Sequence, residues 1–594
     1  VNRYSYDFLD RLMRYEESGD GYSNIVQWGY DDENNLSSQT QTLNGSTYAS
    51  TYAYDKDNRL TKATEGAISA NYTYDSFSRM SGLTVKNGSS PVVNTAVTYV
   101  DPSSSATSTQ VKTWNNGKAT YTYSYNSKGN ISYISDGSLE LDYRYDGYGR
   151  LTSVECLSSG YTLLYHYDVG GNLTRREKID PNQDRPRSTI ATYTYGNTDW
   201  PDLLTAFNGK SITYDAIGNP LSDGTWTYGW QHGRQLASMS KSGSSITYGY
   251  NADGKRISKA VNGTTYNYAY LGDTLTDLSW GSNRMHFTYD SIGPASVTYN
   301  GTTYLYVKNA QGDVVQIVDG NGNTVVTYIY DAWGNMLYHY GSHVDDIGKY
   351  NPFRYRGYVY DTETGLYYLS SRYYNPAWGR FINADTAAVV AASPNKANWD
   401  KNLFAYCDNN PISRKDDGGE FWHLVVGAAI GGIIGAVSAA ASGGDAIDMA
   451  IGFLAGAGGG ALAASGAGVF VQAVGGAAIA MTSNAAQQAN KMYISKKQES
   501  FDVGDMLIDG AVGLVCGAWG GNGASYGNSG GIMAAGKQLF KRGFFNPQAR
   551  SYYAKTAHRL GGDYVFKPLL ESLGKSSVGT TAVTIKNIVR ACLK

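Results

Sequence analysis

One phrase recurs through the first 340 residues and limits the fold more than any other feature. It reads "YSYDFLDRL" from Tyr4, "YAYDKDNRL" from Tyr52, "YTYDSFSRM" from Tyr72, "YRYDGYGRL" from Tyr143 and "YHYDVGGNL" from Tyr165. Looser copies start at Ile212, Tyr248, Phe287 and Tyr328. Aromatic-x-Tyr has period two, which puts both rings on one face of a strand. The Asp that follows starts a turn by accepting backbone N–H groups ahead of it, and a Gly supplies the positive φ the turn needs. An aliphatic residue then opens the return strand. Adjacent copies lie 20 residues apart (Tyr54 to Tyr74) or 22 apart (Tyr145 to Tyr167). Each unit is therefore a β-hairpin that cannot bury its ring face alone. Stacked neighbours can, so the repeat predicts a continuous sheet, and a sheet this long twists and curls until it encloses space.

Composition agrees with many short strands and turns: 52 Tyr and 71 Gly stand against 13 Pro. A net charge of −2 gives no global sign of nucleic-acid binding. Cys156, Cys407, Cys516 and Cys592 are far apart and form no CxxC pair, so they read as unpaired cysteines rather than a zinc site or disulfide framework. No DxDxDG spacing marks a calcium loop, and no metal or other cofactor is expected. The chain begins at Val1, which reads as a fragment or processed product, so a missing signal peptide says little about export.

The Tyr-Asp repeats resemble those of the Rhs/YD-repeat proteins: bacterial polymorphic toxins, toxin-complex C subunits and WapA-like wall proteins. The most specific pieces are "RYRGYVYDTETGLYYLSSRYYNPAWGRFINAD", which ends at Asp385, and "NLFAYCDNNPISRKDDGGEF", which ends at Phe421. The resemblance implies a mostly β fold, a spiral of hairpins closed into a hollow shell, followed here by a Gly/Ala-rich α-helical C-terminal region. The expected divisions are a YD-repeat shell over 1–350, a repeat-associated core or plug over 351–421, an apolar region over 422–545 and a basic tail over 546–594. The Tyr-rich stretch Pro352–Asp385 would be the closing plug.

The resemblance also implies aspartate-dependent self-cleavage, in which two carboxylates share one proton. Carried over by motif, Arg372 is the orienting cation and Asp385 and Asp416 are the carboxylates. Asp417 is a substitute for the second, and the cut falls near Glu420–Phe421. The family has Asp-Pro at both carboxylates, whereas this chain has Asp385-Thr386 and Asp416-Asp417, and Glu420 stands where an apolar residue is usual. The plainer alternative makes the two aspartates ordinary turn formers and Arg372 a cation stacked on the surrounding Tyr rings.

From Trp422 the composition changes. Leu424–Ser442 carries no charge, nor does the run Met449–Asn490, and a shorter apolar piece begins at Ala511. These runs are long enough for membrane helices. Gly427, Gly431 and Gly435, with Gly452, Gly456 and Gly460, give the small-residue spacing that lets helices approach in lipid. The alternative is a loosely packed spacer or translocation linker, because Gly lowers helix propensity. The last 49 residues hold a lone His558, no phosphate loop and no metal pair, so no enzymatic toxin signature is expected. The expected function is a secreted or cell-surface toxin whose shell encloses its own C-terminal cargo, with a target-cell membrane, an immunity protein and an unidentified delivery machine as partners. The competing reading is a structural or adhesive surface protein that binds carbohydrate on exposed Tyr faces and is held by an apolar anchor. Inward rings favour the first and outward rings the second.

Overall fold

The computed structural model describes residues 2–385, apart from residues 10, 20–21, 102–107, 184–185 and 252–253, together with residues 402–416, 418 and 422–424. Among these the chain is mostly β, as the period-two alternation predicts. Nineteen antiparallel strands from Asn2–Tyr6 to Lys210–Ser211 make one sheet, and fourteen from Thr213–Tyr214 to Met336–Tyr340 make a second. The strands pair with their neighbours in sequence, so the repeats are laid down in chain order.

The repeat turn works as its residue types dictate. Asp55 Oδ1 accepts the N–H groups of Asp57 (2.9 Å) and Arg59 (3.0 Å), and its Oδ2 accepts Arg59 Nε at 2.7 Å. Asp75 with Arg79 and Asp146 with Arg150 repeat this arrangement; Asp168, Asp215 and Asp331 hold Asn172, Asn219 and Asn335 in the same way. The left-handed position is Gly149 (φ 84°) or Gly171 (φ 82°) in some copies and Asn58 (φ 57°) or Ser78 (φ 61°) in others. At each turn the register slips by one residue, as between Ala53 and Tyr54, where Tyr54 faces Leu60.

Such a bulge takes the carbonyl of the opening aliphatic residue out of the ladder. The tyrosine of the next repeat caps it. Tyr54 Oη donates to the Leu36 carbonyl (2.9 Å), Tyr74 to Leu60 (2.7 Å), Tyr145 to Ile131 (2.6 Å), Tyr167 to Leu151 (2.7 Å) and Tyr250 to Leu236 (2.9 Å). The turn arginine lies over the same ring, Arg59 over Tyr74 at 4.8 Å and Arg150 over Tyr167 at 4.8 Å. Each hairpin is thus tied to the next by one hydroxyl, and in several cases by one guanidinium as well.

In most copies the first ring of the phrase faces the core: Tyr72, Tyr143, Tyr165 and Tyr248 are each 5–6% exposed, whereas Tyr4 in the first copy is exposed and Tyr52 half-buried. The two sheets also bond to each other. Trp114 Nε1 and Asn116 Nδ2 both donate to the Lys308 carbonyl, at 3.0 and 3.1 Å. The imidazole of His286 lies between Glu65 (2.6 Å) of the first sheet and Asp277 (3.1 Å) of its own, and stacks on Tyr48 with centroids 3.5 Å apart.

The stretch after Tyr350 packs on both sheets. It forms four short strands, Val359–Asp361, Leu366–Leu369, Arg372–Asn375 and Arg380–Phe381. Tyr374 Oη donates to the Trp333 carbonyl (2.6 Å), Tyr367 Oη to Gly334 (2.9 Å), and Tyr373 Oη lies 3.0 Å from Tyr250 Oη. Buried ion pairs fix it further: Arg256 with Asp361 at 2.6 Å and Arg356 with Asp313 at 2.9 Å. Arg380 reaches back to Tyr195 Oη (2.8 Å) and the Asp202 carbonyl (2.7 Å). Among the described residues no helix is long and apolar enough to cross a membrane. The expected helical region begins at Trp422, but Trp422–Leu424 is a strand, set by its pairing with Arg414–Asp416; the rest of that region and the basic tail, residues 425–594, lie outside the described residues.

Candidate self-cleavage centre

The hairpin Leu366–Leu369 and Arg372–Asn375 turns on Ser370 and Ser371, with Leu369 opposite Arg372. Ser370 takes φ 61°, a left-handed backbone that costs a non-glycine residue free energy. Arg372 is the first residue of the return strand and is 5% exposed. Its Nη2 lies 2.9 Å from Asp385 Oδ2 and 3.9 Å from Asp416 Oδ2, and Nη1 donates to the Leu403 carbonyl at 2.9 Å. Three residues up to 44 positions apart thus meet around one nitrogen, and both carboxylates are buried.

Each carboxylate is held without the proline that usually follows it in the family. Asp385 N–H donates to the Leu403 carbonyl at 3.0 Å, and Asp416 N–H donates to Tyr358 Oη at 2.9 Å. Tyr358 Oη in turn lies 3.0 Å from Tyr406 Oη. Asp416 Oδ1 accepts the Gly418 N–H at 3.3 Å. The strand Arg414–Asp416 pairs with Trp422–Leu424, which puts Asp416 opposite Trp422. The expected substitute Asp417 and the expected cut at Glu420 and Phe421 lie outside the described residues.

The alternative for Arg372 needs correcting in one detail. The guanidinium does stack, but on Phe381, at 3.6 Å from the ring centroid, rather than on the surrounding tyrosines. Strand alternation explains this: Tyr373 points the other way, toward Tyr248 and Tyr250, while Arg372 shares its face with Tyr374. Stacking and ion pairing coexist, so one does not exclude the other.

Sequence reading missed several supporting groups. Arg234 Nη1 donates to the Ala384 carbonyl at 2.7 Å; burial pulls its pKa below the ordinary value, and the charges of Asp385 and Asp215 oppose that. Cys407 is fully buried beside Asp416; burial first, then the Asp416 charge, hold its thiol well above the ordinary range, so it stays protonated. Asn383, two residues before Asp385, is completely buried with both amide ends unpartnered. Ser371 reaches the Gly418 carbonyl. Ser371, Asn383 and Cys407 lie inside the quoted motifs, whereas Arg234 carried no sequence signal. No cluster of metal-ligating side chains occurs among the described residues.

The later repeats and most of the stretch that packs on both sheets, with Arg372 and Asp385 but not Asp416, fall within the match to a known family. Its description is teneurin YD-shell, and it matches residues 94–412, more than half of the chain. The chain belongs to the teneurin YD-shell family. The YD repeats likewise place it among the Rhs/YD-repeat proteins. Among curated YD-shell relatives, it is 38% identical over 292 residues to the tRNA3(Ser)-specific nuclease WapA of Bacillus spizizenii, a match covering 47% of this chain and 12% of that protein. It is 27% identical over 301 residues to Toxin subunit YenC1 of Yersinia entomophaga, covering 44% of this chain and 29% of that protein. A solved Photorhabdus luminescens Tc holotoxin pore aligns with 70% of this YD-shell chain and 21% of its own, at 18% identity and a TM-score of 0.46. The chain therefore spans a small part of the relatives it matches.

Proposed function

We propose that this YD-shell protein is a toxin-type carrier whose repeats and plug close around its own C-terminal region, and that Asp385 and Asp416, oriented by Arg372, cut the chain near Glu420–Phe421. The observation that carries this reading is the convergence of the two carboxylates on Arg372 Nη2 in a buried site. Two buried acids that meet at one guanidinium disfavour ionising together, and that favours one proton shared between them. In the proposed step, water oxygen bonds to the scissile carbonyl carbon and gives a proton to the ionised carboxylate. The protonated partner gives its proton to the amide nitrogen as the C–N bond breaks, leaving a carboxyl group and an amine. Arg372 sets which oxygens face the peptide. Under this reading 1–350 is wall, 351–421 plug, 422–545 apolar cargo and 546–594 its basic end.

The names of WapA and YenC1, a nuclease and a toxin subunit, support a toxin-type role and a secreted or cell-surface location. The apolar runs after Leu424 support a cargo that acts on or crosses a target-cell membrane, with an immunity protein protecting the producer. The inward, buried rings of Tyr72, Tyr143, Tyr165 and Tyr248 weigh against an adhesive that binds sugars on exposed tyrosines. Intact mass of the purified chain in denaturant tests the proposal. Two fragments meeting near Glu420–Phe421, and a single 64.3 kDa species for Asp385→Asn or Asp416→Asn, are expected. If the Asn variants are cut like the wild type, the dyad is not the catalyst.

A further inference from the structure

The turn that presents Arg372 also grips the chain on its way to the cut. Ser371 Oγ donates to the Gly418 carbonyl at 2.7 Å, and the Ser371 N–H, shared with the Leu369 carbonyl at 2.6 Å, points at the same Gly418 oxygen at 3.2 Å. On the other side of the residue, the Gly418 N–H is taken by Asp416 Oδ1 at 3.3 Å. Both polar groups of Gly418 are therefore fixed, one by the residue adjacent to the cation and the other by a carboxylate of the pair. The turn reaches this arrangement at a cost, because Ser370 sits at φ 61°. Gly418 itself has open space where a Cβ would stand, so the glycine's own shape does not hold it there.

Resting on the self-cleavage reading above, we propose that Ser371 is a positioning residue for that reaction: its hydroxyl clamps the Gly418 carbonyl and sets the register in which the next residues meet Asp385 and Asp416. A peptide held at only one end slides past the carboxylates. A peptide held by the N–H and C=O of one residue keeps a single bond in reach, and a displacement of about 1 Å is enough to slow a reaction about 100-fold. Ser371 acts on the strand that is cut rather than on the reacting atoms. Its side chain is exposed, so shortening it opens no cavity.

The test uses the full chain made by cell-free synthesis, with fragment appearance followed over time and the new N-terminus read by mass. Ser371→Thr keeps the hydroxyl; Ser371→Val has the same shape without it; Ser371→Ala removes the side chain. Thr is expected to cut at the wild-type rate and position. Val and Ala are expected to cut about 10- to 100-fold more slowly, or at several neighbouring bonds, with an unchanged thermal unfolding transition. A purely structural role would instead lower that transition and leave the cut position single. If wild type, Val and Ala all cut alike, the clamp is overturned and the dyad stands. If the wild type itself stays whole, the self-cleavage reading fails and this one falls with it.

Discussion

Tyr167 illustrates why the second aromatic of each repeat is a tyrosine and not a phenylalanine. Its ring packs under Arg150, and its hydroxyl donates at 2.7 Å to the carbonyl of Leu151, a residue with no exposed surface. The bulge after Asp146 has already removed that carbonyl from the ladder, so no strand neighbour replaces the hydroxyl. Tyr167→Phe keeps the packing and leaves a buried carbonyl unsatisfied, at a cost of about 1–3 kcal/mol. A lowered urea midpoint with unchanged far-UV circular dichroism is the expected result; an unchanged midpoint would mean that water replaces the hydroxyl. The Asp and Gly roles could be read from the sequence because they are local: Asp55 and Asn58 act within four residues of one another. The hydroxyl's partner lies in the preceding repeat, and a single hairpin read alone does not reveal it. At the candidate site, Arg372, Asp385 and Asp416 were legible through motif resemblance. Arg234 was not, because nothing near it in sequence marks a residue 150 positions from Ala384 as its neighbour.

Between elements, the contact that most merits a test is the imidazole of His286 between Glu65 and Asp277. Burial lowers its pKa, but hydrogen bonds to Asp277 and Glu65 and their charges outweigh this and raise it from 6.5 to about 9. Arg284 also faces Asp277, at 2.8 Å, and stacked Tyr48 is pushed up to about 12 by burial and then by the Asp277 charge, so it stays neutral. The folded pKa lies above the unfolded one. The stabilisation is therefore complete below about pH 6.5 and is lost as pH rises through about 9. It amounts to at most about 3 kcal/mol. His286→Gln should be less stable than wild type at pH 6, and the difference should shrink by pH 10; parallel stability curves from pH 6 to 10 would refute the charged latch. No sequence pattern flagged this contact. "RMHFTYD" carries a lone His, and its partner Glu65 is 221 residues away in the other sheet.

For the whole molecule, the two halves of the sequence pose opposite solvent problems. The first ring of most repeats faces the core, and the stretch from Asn351 to Asp416 bonds to the second sheet through Arg256–Asp361, Arg356–Asp313 and Tyr374–Trp333 and to the first through Arg176–Ala377 and Arg380–Tyr195. The tail from Leu424 carries uncharged runs that would associate if left in water. The break in composition was visible without any structure, because hydropathy is a property of a window. How thirty-three strands fold back on one another was not, since contacts such as Trp114 with Lys308 span 194 residues. A wall that shelters the tail makes one prediction that the anchor reading does not. In the native full chain, a broad-specificity protease should leave 425–594 intact for as long as the repeats resist it. Once the wall opens, in urea or on raising the pH through the range that discharges His286, tail and wall should become cleavable together. His286→Gln should bring that loss of protection to a lower urea concentration at pH 7, because it weakens a bond between the two sheets. A tail digested at once in the native protein, with the repeats still resistant, would mean that it lies outside the wall, and the carrier reading would give way to a surface anchor.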